Sequence, residues 1–337
     1  MDDSNLRLGL ALAVMGGVMA GVYAVPLKFT KKWEWQHSWL VYSVVGLVIF
    51  PWALTCVFTV NLGELLSGST WILICGFGLA WGVGNVLWGM GLVRLGLALG
   101  GSLMMGIVSG MGSLVPLIVL QPDSLHTRKG LFVILGNAIL VVGAVLCSRA
   151  GDLRARLQSG KDETSGTTSY SFPVSVLIAI LAGALSAMLN FSFAFSGDMQ
   201  SRAVDFGTPS SLASLSVWAL ALSAGFLANL TFCSWRIGRA GWSRYLQTGT
   251  LSHWISTILM GLTWFGGVML YGIGASKMGP SGAVIGWPVF IGMTLVASNV
   301  AGMATGEWRG TNSRCIRLLL SGVAVIIASM VVIARGN

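Results

Sequence analysis

Charge is what this sequence has least of. Only 9% of its 337 residues are charged, whereas 55% are hydrophobic and the mean hydropathy is +0.80. Such a small number of charges cannot cover a water-soluble surface, and most of the surface must therefore face lipid. Composition thus excludes the two soluble domains that the length alone would suggest.

Side chains that carry chemistry are also scarce. The eleven acidic residues all lie in polar segments or at the ends of apolar runs, and there are only three histidines. The five cysteines form no CxxC pair and no cluster with metal-ligand spacing. An enzyme would need paired carboxylates, or a nucleophile beside a base. The sequence therefore predicts no enzyme, no metal and no cofactor.

The charge that is present is mainly basic, with 20 Lys and Arg against 11 Asp and Glu. In a membrane protein this excess is typical of cytoplasmic loops, so we expect no nucleic-acid partner. The sequence contains ten apolar runs, which are given below and are numbered here as helices. The loops that follow odd-numbered helices hold 14 of the 20 basic residues, and the loops and termini on the other side of the membrane hold six. This bias predicts a multi-pass protein of the inner (cytoplasmic) membrane with both termini outside the cytoplasm.

Ten apolar runs have the length of about 20 residues that a transmembrane helix needs. The runs are at 7–26, 39–60, 70–93, 97–120, 130–148, 172–195, 210–234, 253–275, 282–303 and 315–334. Pro51, Pro116 and Pro288 fall inside the second, fourth and ninth runs, where they should kink or break the helix.

Two apolar segments, 78–96 and 261–279, have similar sequences and lie 183 positions apart. The two copies share five glycines, and Trp81 matches Trp264 while Trp88 matches Tyr271. The longest polar interruption, 149–171, separates five helices from five. We therefore predict a first repeat at 1–148, a cytoplasmic linker at 149–171 and a second repeat at 172–337.

Five helices is an odd number, so the second repeat must begin on the opposite side of the membrane. The predicted fold is an all-α integral membrane protein whose ten helices form two inverted five-helix repeats. Inverted repeats are typical of secondary transporters, with the substrate near the midplane between the halves.

The third helix carries two different faces. Trp81, Asn85 and Trp88 fall on one face, where flat aromatic rings beside an amide suit a sugar. A stripe of glycines at 78, 82, 89 and 96 lies beside them and should let a second helix approach closely. The alternative for the tryptophans is that they fill helix contacts or lie at the lipid interface.

Further candidate residues lie on other helices. The eighth helix presents Trp264 and Tyr271 on the matching face, but has Val268 where the third helix has Asn85. Trp287 and Asn190 are candidates for the wall of the same cavity, and Asn190 could equally bond neighbouring helices. At the end of the first helix Tyr23 is a candidate substrate contact, and Lys28 is a candidate for gating or coupling. The alternative for Lys28 is that its side chain extends to the membrane interface.

At these residues the sequence resembles the L-rhamnose–proton symporter family of the drug/metabolite transporter superfamily. The resemblance is carried by short blocks at 23–24, 26–28, 31–35, 81–85, 95–96, 149–151, 261–264 and 307–308. It implies a ten-helix carrier of inverted repeats that takes up a deoxy-hexose, with a proton as a possible coupling partner.

The chain departs from the family pattern in one place. The resemblance implies an Asp early in the ninth helix, but residues 279–286 contain no acid. Facilitated transport, exchange and coupling through a group at a helix end therefore all stay open. The favoured function is transport of a neutral monosaccharide, L-rhamnose or a related deoxy-hexose, by alternating access. The alternative is an exporter or exchanger of another small metabolite on the same fold.

Overall fold

The structure is a computed structural model that describes residues 3–30, 32–158 and 171–336. Every regular element in these residues is helical, and ten segments are long and apolar enough to cross a membrane. The ten helices are α1 (Asp3–Val22), α2 (Trp35–Ser43, Val44–Ile49 and Phe50–Phe58), α3 (Thr70–Gly96), α4 (Leu97–Gly101 and Ser102–Leu120), α5 (Arg128–Gln158), α6 (Phe172–Ala194), α7 (Leu215–Gly241), α8 (Leu251–Lys277), α9 (Gly282–Gly286 and Trp287–Ala304) and α10 (Ser313–Arg335). The prediction of an all-helical protein with ten spans is confirmed.

The fifth helix is longer than predicted. It was expected to end at residue 148, but α5 continues to Gln158. Arg149, Asp152 and Arg154 therefore lie on helix, and the predicted linker begins as about three further helical turns. Residues 159–170 of that linker lie outside the described part of the chain.

Ten crossings place the helix ends on two faces. The basic face carries the ends of the odd-numbered helices, and the terminal face carries the ends of the even-numbered ones. A short helix, Gly197–Asp205, extends α6 at the terminal face. A 3-10 turn, Val25–Phe29, extends α1 at the basic face.

Two matching glycines join helices at equivalent places. Gly96 ends α3 with a φ of +74°, and Gly279 follows α8 with a φ of +60°. A side chain at such a φ would be strained, which explains glycine at both positions of the repeat. The next helix in each half, α4 and α9, then begins with a π-helical segment.

Two of the three intrahelical prolines follow a π-helical segment. Pro51 lies just after Val44–Ile49, and Pro288 lies just after Gly282–Gly286. A proline lacks an N–H, and the wider turn before it absorbs the missing hydrogen bond. The expected irregularity is confirmed there, whereas the α-helix Ser102–Leu120 continues past Pro116 without interruption.

Helix packing repeats between the two halves. The contact of α3 with α6 is matched by α8 with α1, and that of α3 with α7 is matched by α8 with α2. The contact of α4 with α6 likewise corresponds to α9 with α1, while α5 packs on α10, α2 on α7 and α4 on α9. Exchanging every helix with the one five places further along the chain leaves this set of pairs unchanged.

Glycines make several of these contacts close. A Cβ added to Gly78 would lie 2.0 Å from the carbonyl oxygen of Ala221 on α7, and one added to Gly82 would lie 2.3 Å from that of Gly225. A Cβ added to Gly89 or to Gly96 would meet no atom of another helix within 4 Å. The predicted glycine stripe is therefore a packing surface in its first half only.

Candidate functional site

Trp81 of α3 and Trp264 of α8 stack at the centre of the molecule. Their ring centroids lie 5.5 Å apart with an interplanar angle of 24°. Trp81 is buried, and Gly225 makes room for it, because a Cβ there would lie 2.6 Å from the indole ring. The structure thus brings together two residues that the sequence placed on separate helices.

A second group of rings packs in the same core. The Tyr271 ring lies 5.5 Å from Trp287 and 5.1 Å from Phe290, while Phe193 stacks on Trp218 at 5.6 Å. Together with Trp81 and Trp264, these five residues form what we call the aromatic layer; all seven belong to one hydrophobic cluster.

Asn190 of α6 is the polar centre of the layer. Its Nδ2 donates to the carbonyl oxygens of Gly112 on α4, at 2.6 Å, and Ala283 on α9, at 3.1 Å. Its Oδ1 accepts a hydrogen bond from the Tyr271 hydroxyl. Asn190 is fully buried, so one amide bonds three other helices in this conformation.

The carbonyls that Asn190 reaches are ones that prolines leave without a helical partner. An α-helical N–H at 116 would bond the Gly112 carbonyl, and a π-helical N–H at 288 would bond that of Ala283. Both positions are proline, which has no N–H. Buried carbonyls in lipid need a partner, and the Asn190 amide supplies it to both.

Trp287 is fixed beside this centre. Its Nε1 donates to the carbonyl oxygen of Val108, at 2.9 Å. The indole lies against Gly112, where a Cβ would come within 2.1 Å of Nε1. In this conformation the polar atoms of Trp287, Tyr271 and Asn190 are therefore all engaged with protein.

A cavity of about 570 Å³ opens on the terminal face, which we call the terminal-side cavity. It reaches Pro116 on α4, Phe193 on α6 and Ala283 on α9. Its polar lining includes Gln200 and Ser276. A volume of this size falls in the usual range for small-molecule sites, and its inner end meets the aromatic layer.

A smaller cavity of about 260 Å³, the basic-side cavity, lies toward the basic face. Trp88 and Met105 line it and also pack against the central hydrophobic cluster. Ser298 and Asn299 of α9 supply polar atoms to its wall. Through Trp88 and Met105 the basic-side cavity adjoins the cluster that contains the aromatic layer, although none of the seven layer residues lines this cavity.

An ion-pair network spans the basic face beside this smaller cavity. Glu307, in the α9–α10 loop, lies 2.5 Å from the Lys28 ammonium and 3.0 Å from the Arg154 guanidinium. Lys28 also donates to Thr305, and the Arg154 guanidinium lies over the Trp308 ring. The network joins the ends of α1, α5 and α9.

The electrostatics of Glu307 follow from these partners. The hydrogen bond from Lys28 lowers the pKa of Glu307, partial burial raises it, and the hydrogen bond from Arg154 lowers it further; the net direction is down. Glu307 therefore stays ionised at neutral pH and keeps both cations in place.

The remaining predicted residues lie around the layer. Asn85 is half-buried and has no hydrogen-bond partner among the described residues, so its amide is available to a ligand. Trp88 lines the basic-side cavity. The Tyr23 ring lies 5.4 Å from Tyr42, whose ring in turn lies 6.1 Å from Trp264.

Several residues of this region escaped the sequence analysis. Phe193 and Phe290 are ordinary apolar residues in apolar helices, with no signal that distinguishes them. Glu307 was noticed only in a block of family resemblance, and Arg154 was counted only as a loop charge. Pro116 and Pro288 were the usable signals, because a proline inside a buried helix always frees a carbonyl.

Comparison with known proteins covers nearly the whole chain. Residues 2–337 match the family model described as L-rhamnose-proton symport protein (RhaT). A protein of Klebsiella pneumoniae subsp. pneumoniae named L-rhamnose-proton symporter is 25% identical over 343 residues, covering 98% of each chain. One of Salmonella gallinarum with the same name is 26% identical over 346 residues, covering 99% of each.

Proposed function

The chain belongs to the L-rhamnose-proton symport protein family, and from this membership we propose that it carries L-rhamnose or a related deoxy-hexose across the membrane by alternating access. It is a multi-pass membrane protein of a transporter family, and not an enzyme. The relatives' names favour sugar transport over export or exchange of another metabolite.

The observation that carries this proposal is that the hydrophobic cluster containing the aromatic layer lies between two cavities on opposite faces. Alternating access requires one central site that each side reaches in turn. Phe193 meets the terminal-side cavity, and Trp88 meets the basic-side one. A sugar passing between them must cross this cluster.

The chemistry of this region suits a neutral sugar. A pyranose presents C–H groups to aromatic faces and hydroxyls to amides and carbonyls. We assign contact with the sugar along its path to Trp81, Asn85, Trp88, Trp264, Tyr271, Trp287 and Tyr23. Asn190 belongs to the same region, where its amide bonds protein groups. The charged residues that line the two cavities, Asp205, Arg154 and Glu307, lie in loops or near helix ends, so the path between the cavities favours a neutral solute over an ionic one.

Lys28 acts as a gate in this scheme. Its ion pair with Glu307 ties α1 to the α9–α10 loop and closes the basic face, while the larger cavity opens on the terminal face. Rupture of this pair accompanies the change to the opposite conformation.

The two halves act as inverted repeats, 1–148 and 172–337, with 149–171 as the linker between them. The repeated packing of helices supports this division, and the odd number of spans in each half supports the inversion. The basic face lies in the cytoplasm and both termini lie outside it, as the excess of Lys and Arg favours. In a bacterium such a protein resides in the inner membrane.

Proton coupling is a separate part of the proposal, because the relatives are named proton symporters. No Asp or Glu in the described ranges lies in the middle of a span; all eight lie in loops or within about two turns of a helix end. The proton would therefore have to be carried near a helix end.

The test is uptake of labelled L-rhamnose into proteoliposomes, beside its binding to the purified protein. We expect saturable uptake, and thermal stabilisation by L-rhamnose that L-glucose does not reproduce. An imposed proton gradient should accelerate uptake if transport is coupled. Stabilisation by a charged metabolite and by no neutral sugar would contradict the proposal.

A further inference from the structure

The carbonyl oxygens of Gly112 and Ala283 form a pair of acceptors beside the inner end of the terminal-side cavity. Ala283 lines that cavity, and so does Pro116, one turn from Gly112, whereas Gly112 and the buried Asn190 lie behind the lining. One amide nitrogen, Nδ2 of Asn190, bonds both oxygens, at 2.6 and 3.1 Å. The two oxygens therefore lie close enough together to be bridged by a single ligand group.

We propose that hydroxyl groups of the transported sugar bind the carbonyls of Gly112 and Ala283, in the place that the Asn190 amide takes in this structure. This inference rests on the proposed function and specifies the substrate site within it. The Asn190 side chain then occupies the position of the substrate hydroxyls in the empty protein, and it rotates away when the sugar binds.

The chemistry at this point selects a hydroxyl. Both carbonyls are acceptors only, and the group that now bonds them is a neutral donor. A hydroxyl is also a neutral donor, whereas a carboxylate would be repelled by the two oxygens. The Phe193 ring lines the same cavity and offers a flat face to the C–H side of a sugar ring.

Displacement of Asn190 would also link sugar binding to a change in the hydrogen bonding of the aromatic layer. The amide oxygen of Asn190 accepts from Tyr271, which packs against Trp287 and Phe290. Rotation of Asn190 breaks that bond as well, and so frees the Tyr271 hydroxyl. Binding at the carbonyls is thereby linked to the rings of the aromatic layer.

The test restores the hydrogen-bond donors that the prolines remove. In Pro116→Ala the new N–H can bond the Gly112 carbonyl within α4, and in Pro288→Ala it can bond the Ala283 carbonyl within α9. Each variant gains a backbone hydrogen bond, so folding is favoured. Binding of L-rhamnose to purified full-length protein is measured by titration calorimetry.

We expect each proline variant to bind L-rhamnose about three- to tenfold more weakly, as loss of one hydrogen bond implies. The matched control is Pro51→Ala, which makes the same change in α2 behind a similar π-helical segment and should leave the Kd unchanged. An unchanged Kd in both Pro116→Ala and Pro288→Ala would overturn the inference.

Asn190→Ala supplies a test of opposite sign. Because Asn190 competes with the sugar for the two carbonyls, its removal should leave the Kd equal or lower. The control is Asn137→Ala, which removes an equally buried amide that bonds Ser109 and Ser113 away from this cavity. A Kd raised more than about threefold over that control would identify Asn190 as a direct ligand and overturn the inference.

These outcomes separate the inference from the proposed function. If wild-type protein binds L-rhamnose and the proline variants bind it equally well, only the carbonyl site fails. If wild-type protein binds no neutral sugar, the function and the site fail together.

Discussion

Trp81 and Trp264 occupy matching positions in the two halves of the chain, and their rings stack on each other at 5.5 Å. In the proposed arrangement of inverted repeats, equivalent residues of the two halves contact one another where the two-fold relationship passes between them. A carrier built in this way binds its substrate near the midplane between the halves.

The stacked pair should contribute to sugar binding. We expect Trp81→Ala and Trp264→Ala each to weaken L-rhamnose binding about three- to tenfold, because each removes an aromatic face from the path. Phenylalanine at either position should recover part of the loss. Titration calorimetry provides the measurement, and Trp235→Ala is the control, since that indole is 73% exposed on the outer surface. Equal loss in the control would mean that tryptophan removal acts through general destabilisation.

Asn85 gives a cleaner test of polar recognition. Its amide has no partner among the described residues, so Asn85→Ala should leave the melting temperature unchanged while weakening sugar binding. One lost hydrogen bond implies a Kd about three- to tenfold higher. Binding and melting of the same preparation are compared. Unaltered affinity would assign Asn85 to helix packing.

Glu307→Gln should loosen the basic face. Loss of the carboxylate leaves Lys28 and Arg154 without their shared anion, so the basic-side cavity should open more often. A spin label at Ser298→Cys should become several-fold more accessible to a water-soluble relaxation agent, and one at Ser201→Cys less so. Glu34→Gln is the control, because it breaks a 2.7 Å pair with Arg244 on the same face. Identical changes in both variants would remove any special role for Glu307.

Acidification should open the basic-side cavity of the wild-type protein, as Glu307→Gln should do at neutral pH. The pKa of Glu307 is lowered from the ordinary 4.5, so the network is complete above that value and is lost as pH falls through the lower, native pKa. Accessibility of the Ser298→Cys label should therefore stay constant from pH 7 down to 4.5 and rise only below that pH. The Glu307→Gln profile should be flat. A transition near pH 6 would point to a histidine instead.

Close packing of α3 on α7 should be sensitive to one methyl group. Gly78→Ala places a Cβ 2.0 Å from the Ala221 carbonyl oxygen, whereas Gly89→Ala meets nothing within 4 Å. We expect Gly78→Ala to destabilise the protein by about 1–3 kcal/mol. Gly89→Ala should be neutral or slightly stabilising, because alanine favours helix. The measurement is the melting temperature of each variant in detergent. Equal melting temperatures for Gly78→Ala and Gly89→Ala would contradict the prediction.

The fold could be predicted because lipid imposes a simple rule. Each span needs an unbroken apolar run, and ten such runs gave helices whose ends differ from the structure by a few residues in most cases. The exceptions are α5, which runs past residue 148, and α7, which runs past residue 234 and is interrupted at Gly238 by a φ of +61°. A helix can leave the membrane without losing its hydrogen bonds. A hydropathy pattern reports the edge of the lipid, and not the end of the helix.

The site was only half predictable. The repeat identified Trp81 and Trp264 as equivalent, but their stacking depends on the way α3 and α8 cross. Asn190 was recognised as a buried amide, whereas its three partners come from α4, α8 and α9, which no local pattern can align. Glu307 lies in a loop, and its ion pairs form only because the fold brings Lys28 and Arg154 to it from distant parts of the chain.

The ion-pair network at Glu307 makes the contacts that close the basic face different from those that close the terminal face. Glu307 is the third residue beyond the end of α9, and Asp123 is the third beyond the end of α4 at the other face. Asp123 is exposed and forms no ion pair within the described ranges. At the terminal face the described residues have neutral contacts in its place, since Lys129 donates hydrogen bonds to Gln121 and Ser281. We therefore expect the empty protein to favour the state in which the basic face is closed by ion pairs and the terminal face is open.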